Sequence, residues 1–93
     1  MPYIPKEDRE YYDHFIGSLC TQLTYKKQYE GETLNPGHLN YIVTRLCKFV
    51  FEDKPSYTTL ALITGVLENV KQELYRRQFA DYEDAAIEKN GDL

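Results

Sequence analysis

The chain has 93 residues, a net charge of −4 and 42% hydrophobic residues. This length fits one small domain, residues 1–93, and the composition is that of a folded protein and not of a disordered one. The acidic balance argues against long DNA or RNA, whose binding requires a basic face, but a small anionic ligand needs only one or two arginines.

A domain of this size buries only about 60–65% of the surface of its unfolded chain, so a single core would be thin. Association with a second copy adds buried area, and the sequence therefore favours a homo-oligomer. Tyrosine is abundant, with 9 residues against 4 Phe and no Trp. Its ring and hydroxyl suit either a partly exposed core or an interface and ligand pocket, and both interpretations stay open.

The segment after Met1 lacks the apolar region of a signal peptide, and no apolar run approaches the ~20 residues that span a membrane. The sequence therefore predicts a cytoplasmic protein that does not enter a membrane, with reduced thiols. Cys20 and Cys47 fall on apolar helical stripes, which favours buried structural cysteines. Together with His14 and His38 they lack the spacing of a zinc site, so we expect neither a metal nor a cofactor.

The first predicted helix begins after Pro5, with Glu7 and Asp8 in its first turn, where the helix dipole favours acidic residues. It fades towards a stop at Gly31. Its apolar positions recur at helical spacing, at Tyr12, Phe15, Ile16, Leu19, Cys20 and Leu23.

The second predicted helix opens at Asn35-Pro36, because Asn caps the first N–H groups and Pro suits the first helical position. It ends near Glu52-Asp53-Lys54, before Pro55. Its apolar stripe consists of Leu39, Ile42, Val43, Leu46, Phe49 and Val50.

The third predicted helix is capped by Ser56 and stops at Asn90-Gly91. Its length is ~33 residues, or about 50 Å, which is too long to be covered by two shorter helices of one chain. Either it breaks near Ala80-Asp81, or its distal half packs against another subunit, which we favour. Its stripe consists of Leu60, Ile63, Leu67, Val70 and Leu74.

Two polar groups are candidate ligand sites. On the second helix, Tyr41 and Arg45 share one face and Asn40 and Thr44 share a neighbouring face, since each pair is four residues apart. On the third helix, a tyrosine precedes two arginines, whose planar forks grip phosphate while a tyrosine ring stacks on a base. These residues are Tyr75, Arg76 and Arg77.

Structural interpretations of the same residues stay open. Tyr41 and Arg45 form an ordinary stacking pair in that interpretation, and ion pairs of Glu68 with Lys71 and of Glu73 with Arg77 simply support the helix. The acidic end from Asp81 is then a solvated tail or an arm towards another subunit. No glycine-rich phosphate loop, nucleophile elbow or metalloprotease motif occurs, so the sequence does not predict an enzyme.

The chain resembles a family of short proteins found mostly in bacteriophage and prophage genomes. The resemblance covers nearly the whole chain except the middle of the first helix and the 25–33 linker. It rests on Met1-Pro2-Tyr3-Ile4 with Asp8-Arg9; on Gly37-His38-Leu39-Asn40-Tyr41-Ile42-Val43-Thr44-Arg45-Leu46; on Gly65-Val66-Leu67-Glu68 with Lys71, Glu73 and Tyr75-Arg76-Arg77; and on Tyr82-Glu83-Asp84, Ile87 and Asn90-Gly91-Asp92.

This resemblance implies a small phage protein in the cytoplasm of a bacterial host, where such accessory proteins often counter host defence. We therefore expect an all-α, three-helix domain with a long C-terminal helix, assembled as a homo-oligomer. The favoured function is to sequester a nucleotide-derived defence signal, such as a cyclic nucleotide or an ADP-ribose derivative, at the seven candidate residues. Inhibition of a host protein by direct contact, and a structural or packaging role in the phage particle, are the alternatives.

Overall fold

The computed structural model describes residues 4–30, of which 25–30 by backbone alone, and residues 36–93. In these stretches the chain forms three helices and no strand. They are α1 (Lys6–Glu30), α2 (Pro36–Asp53) and a third helix composed of α3 (Tyr57–Leu74), a π-helical segment (Tyr75–Phe79) and α4 (Ala80–Asn90). The predicted all-α class is confirmed, and the homo-oligomer stays a prediction.

The predicted start of α1 is confirmed. The backbone N–H groups of Asp8 and Arg9 donate to the Pro5 carbonyl at 3.0 and 3.1 Å, which opens the helix one residue after the proline. Glu7 and Asp8 lie in the first turn, where their charges interact favourably with the helix dipole. The predicted stop at Gly31 lies outside the described residues.

Both predicted ends of α2 agree with the structure. The helix begins at Pro36 and ends at Asp53, two residues before Pro55. Proline fits the first position because no backbone donor is needed there, and the ring of Pro55 disfavours helical backbone at the residue before it. The cap predicted at Asn35 lies outside the described residues.

Ser56 caps the third helix as predicted. Its backbone is extended, with φ −165° and ψ 162°, and its hydroxyl accepts a hydrogen bond from the Thr59 backbone N–H at 3.0 Å. The helix ends at Asn90, after which Gly91 adopts φ +91° and donates its N–H to the Ile87 carbonyl at 2.7 Å. Glycine suits this position because it lacks the side chain that disfavours positive φ.

The third helix does not break near Ala80-Asp81. Its backbone stays helical at Tyr75 (φ −60°, ψ −51°) and at Ala80 (φ −63°, ψ −43°). Between these residues the hydrogen bonding changes, because the Ala80 N–H donates to the Tyr75 carbonyl five residues back. This i→i+5 bond defines the π-helical segment and adds one residue to a turn.

Contacts divide the chain into two units, Met1–Leu46 and Cys47–Leu93, with the boundary inside α2. Within the described part of each unit, contacts between elements are those that join α3, the π-helical segment and α4 in one helix. No described residue is buried, so the predicted apolar stripes lie exposed or half-exposed.

The prediction that both cysteines are buried is wrong for the single chain. Cys20 is exposed and Cys47 is half-buried. Cys20 lies on the predicted stripe of α1 and Cys47 lies next to that of α2, but among the described residues no other element of the same unit packs against them. Among the described residues, no helix combines the length and apolar character needed to cross a membrane.

Candidate functional site

Four of the seven predicted ligand residues form one polar patch on α2, which we call the α2 patch: Asn40, Tyr41, Thr44 and Arg45. One turn of helix brings residues four apart to the same side, and two side-chain hydrogen bonds follow from that spacing. The Arg45 guanidinium donates to the Tyr41 hydroxyl at 2.6 Å. The Thr44 hydroxyl donates to the Asn40 amide oxygen at 3.2 Å.

The Arg45 guanidinium carbon lies 5.6 Å from the centroid of the Tyr41 ring, within the range of a cation–π contact. Because the same guanidinium donates to the Tyr41 hydroxyl, it lies at the hydroxyl end of the ring and does not stack on its face. The predicted Tyr41–Arg45 pair is therefore confirmed as a hydrogen-bonded pair, but not as a stacked one. The hydrogen bond orients the guanidinium, and the ring stays 60% exposed. Tyr41 thus keeps surface on which a base or another aromatic ring can stack.

Arg45 differs from the other arginines of the candidate sites in its acidic neighbours. Within the described part of the chain, no carboxylate lies within 4.0 Å of its guanidinium. One turn further along α2, by contrast, Lys48 pairs with Glu52 at 3.7 Å. A guanidinium has five N–H donors, so Arg45 can hold Tyr41 and still donate to an anion.

The other three predicted ligand residues, Tyr75, Arg76 and Arg77, lie in the π-helical segment. Glu73 engages both arginines, with its carboxylate 3.2 Å from the Arg76 guanidinium and 2.8 Å from Nε of Arg77. The predicted Glu73–Arg77 ion pair is confirmed. Because one carboxylate accepts from both forks, this cluster carries less net positive charge than the sequence suggests.

The Tyr75 hydroxyl also has a carboxylate partner. Its hydroxyl donates to the Glu83 carboxylate at 2.7 Å, across eight residues. The pKa of Tyr75 is raised above its ordinary value, chiefly because the phenol donates this hydrogen bond and further because of the negative charge of Glu83. Sequence reasoning missed this contact, because residues eight apart in a regular α-helix are separated by about 80° around the axis and about 12 Å along it.

Glu68 forms a third polar cluster, one turn before Glu73. Its carboxylate accepts from the Gln72 amide at 3.0 Å and lies 3.4 Å from Nζ of Lys71. These contacts lower the pKa of Glu68, with the Gln72 hydrogen bond as the largest cause. The predicted Glu68–Lys71 pair is confirmed, and its role is to support the helix surface.

The two groups of predicted ligand residues lie in different units, and all members of each group lie on one helix. A surface depression of about 290 Å³ lies instead at the start of α1, lined by Ile4, Asp8, Tyr11 and Tyr12. None of the seven predicted residues lines it. In the described stretches, no three His, Cys, Asp or Glu side chains are placed to hold a metal ion.

Comparison with known proteins identifies the family of the chain but assigns no role to these residues. A family model described as a domain of unknown function, DUF6899, matches residues 1–93. No curated protein and no solved structure gives a match.

Proposed function

Because the chain belongs to the DUF6899 family, whose description states no activity, we propose its function from the geometry of the α2 patch and from the resemblance to phage proteins. The protein is a non-enzymatic phage accessory protein that assembles as a homo-oligomer and sequesters a nucleotide-derived signal of host defence. The observation that carries this proposal is the α2 patch, where the Arg45 guanidinium is oriented by Tyr41 and has no carboxylate partner among the described residues.

The chemistry of the α2 patch suits a small phosphorylated ligand. Arg45 has N–H donors for phosphate oxygens, and such charge-assisted hydrogen bonds are about twice as strong as neutral ones. The exposed Tyr41 ring can stack on a base, which contributes about 1–3 kcal/mol in other proteins. Asn40 and Thr44 add an amide and a hydroxyl for polar groups of the sugar or base.

Arg76 and Arg77 are secondary contacts in this proposal. An incoming phosphate must compete with the Glu73 carboxylate, which lies at 2.8 Å from Nε of Arg77. The Tyr75 hydroxyl is likewise taken by Glu83. These side chains are all solvent-accessible, so a ligand that spans two helices of an assembly can still recruit them.

Ligand uptake is tested by native mass spectrometry and calorimetry with cyclic dinucleotides, cyclic trinucleotides and ADP-ribose. We expect the Arg45→Ala variant to fold normally and to bind at least about tenfold more weakly, the equivalent of about 1.4 kcal/mol for one charge-assisted contact. The matched control is Lys48→Ala, which removes one positive charge from the same helix outside the α2 patch. Equal losses in both variants would mean that overall charge, and not the α2 patch, binds the ligand.

Direct inhibition of a host protein is the second candidate function. It is favoured by the apolar side chains that α1 and α2 leave exposed, among them Phe15, Leu39 and Phe49. The same native mass spectra separate the two functions. An assembly that takes up no nucleotide from the panel would exclude these ligands and direct the search to protein partners in host lysate.

A further inference from the structure

The apolar side of α3 has the spacing of a helix that pairs with another helix. Leu60, Ile63, Leu67, Val70 and Leu74 follow one another at alternating steps of three and four residues, and we call them the α3 stripe. This alternation keeps apolar side chains along one seam between two helices. In the single chain every member of the stripe except Ile63 is more than 40% exposed.

A regular α-helix would end this stripe at Leu74. Each residue advances the helix by about 100°, so Arg77 and Gln78 would flank the same line, with Gln78 the nearer, and Asp81 and Ala85 would follow on it. An amide and a carboxylate would then occupy the seam, and their burial without a partner is unfavourable.

The π-helical segment changes which residues continue the line. The hydrogen bond from Ala80 to Tyr75 closes a turn with one extra residue, which sets all later residues back by about one position. The places of Gln78, Asp81 and Ala85 on the line are therefore taken by Phe79, Tyr82 and Ala86. The α3 stripe continues as an apolar line into α4.

We propose that this extended line is the contact surface for the third helix of a second copy of this chain, in antiparallel orientation. The proposal specifies the homo-oligomer contained in the proposed function, and it does not depend on the ligand. The π-helical segment has a defined role in it, which is to keep the apolar seam continuous along both α3 and α4.

The distribution of charge favours the antiparallel orientation. Residues 57–67 carry no charge, whereas α4 contains Asp81, Glu83, Asp84 and Glu88 against Lys89. Parallel pairing would place the two acidic α4 segments side by side, where like charges repel. Antiparallel pairing places each acidic segment beside the uncharged start of the other copy's third helix.

The length of the helix is sufficient for a stable contact. Tyr57–Asn90 comprises 18, 5 and 11 residues in its three parts, which gives 34 residues and about 50 Å. About four of every seven residues face the partner in a helix pair, or ~19 per copy, close to the 20–30 of a standard interface. A second copy offers a line of the same length and spacing.

The seam is tested first by Leu67→Asp, with Leu62→Asp as the matched control on another side of α3. Molar mass is measured by light scattering after gel filtration, and helicity by circular dichroism at the same concentration. We expect Leu67→Asp to weaken association by at least about 100-fold, and Leu62→Asp to associate like the unmodified chain. Equal behaviour of the two variants, or a monomeric unmodified chain, would refute the seam.

The role of the π-helical segment is tested by deleting Gln78 and, in a second variant, by inserting one alanine after Gln78. The deletion removes the extra residue of the turn, so the shortened chain can form a regular helix in which Phe79, Tyr82 and Ala86 still lie on the seam, and association should be retained. The insertion turns α4 by about 100° relative to α3 and brings Asp81 to the seam, so association should weaken by about 100-fold. If the insertion variant is helical and associates like the unmodified chain, the seam does not extend into α4.

Orientation is measured by pulsed electron resonance on chains with a single spin label at Thr58, Gln72 or Glu88, in a Cys20→Ser/Cys47→Ser background. Antiparallel pairing predicts a short label-to-label distance at Gln72, near the middle of the helix. At Thr58 or at Glu88 the two labelled backbones of the pair lie ~45 Å apart along the axis, so the label-to-label distance should exceed that at Gln72 by about 20 Å or more. Similar distances at all three sites would show parallel pairing and contradict the proposal. Nucleotide binding to the same samples reports separately on the proposed ligand function.

Discussion

Arg45 and Arg77 show how neighbours decide what an arginine can do. Each lies on a helix with a tyrosine close in sequence, and the residue types alone predict phosphate contacts for both. In the structure Arg77 donates to Glu73 at 2.8 Å, whereas Arg45 donates to the neutral Tyr41 hydroxyl at 2.6 Å. A neutral acceptor does not compensate the positive charge, and no carboxylate of the described residues does so, which makes the α2 patch the better candidate for an anion.

At the same scale, Tyr75 provides a test of the contact across the π-helical segment. The Glu83→Ala substitution should lower the pKa of Tyr75 towards its ordinary value of about 10, because it removes the negative carboxylate that accepts the hydrogen bond of the phenol. The measurement is a pH titration by carbon NMR of labelled tyrosine rings, with Tyr75→Phe to assign the signal. Glu88→Ala removes a carboxylate from the same helix and should leave the titration of Tyr75 unchanged.

The sign of the pH effect follows from the raised pKa. The contact between Tyr75 and Glu83 stabilises the folded chain below the unfolded pKa of tyrosine, about 10, and is lost as the pH rises through the higher folded value. If Tyr75 titrates identically with and without Glu83, the 2.7 Å hydrogen bond does not form in solution.

At the scale of the element, a helix end is determined by the few residues next to it, whereas a change of helix type is not. Pro36 and Ser56 mark starts that depend on backbone donors within a few residues, and Gly91 marks an end that depends on its own φ. The π-helical segment depends on which hydrogen bond a whole turn adopts. Its residues are ordinary helix formers, and their types do not distinguish i→i+4 from i→i+5 bonding.

Gly65 allows a test of which side of α3 is covered. A Cβ added there would meet nothing within 4 Å, and the residue lies opposite the α3 stripe. Gly65→Ala should therefore raise the free energy of unfolding by about 0.5–1 kcal/mol, the difference in helix propensity. Thermal and denaturant unfolding measure this change.

Gly17→Ala is the matched control for Gly65→Ala, because Gly17 also lies inside a helix with open space around it. We expect a similar gain from both substitutions. A loss of stability at Gly65 alone would show that a partner helix packs closely on that side of α3, and the antiparallel seam would then be placed wrongly.

At the scale of the whole molecule, the absence of buried residues in the described stretches indicates where stability comes from. Isolated helices are marginal in water, and most helix stability in proteins comes from covering an apolar face. The apolar faces of α1, α2 and α3 are exposed in the single chain. Association of copies is the proposed source of that cover.

A concentration series tests this dependence. Because the folded form binds other copies and the unfolded form does not, the melting temperature should rise with protein concentration, and helicity should fall on dilution of about 100-fold. Circular dichroism at 222 nm measures both. A melting temperature that is constant over this range would show that the single chain is stable alone.

The sequence by itself determined the helices, because apolar spacing, caps and prolines act over a few residues. It also determined the pairs of residues three and four apart, such as Tyr41 with Arg45 and Glu73 with Arg77. Other features of the structure depend on how residues further apart in the chain are arranged. The extra residue in the turn brings Tyr75 to Glu83. Cys20 is exposed and Cys47 only half-buried because, among the described residues, no other element of the same unit covers their helices. Local spacing specifies which side of a helix is apolar, whereas what covers that side depends on the other elements and on other copies.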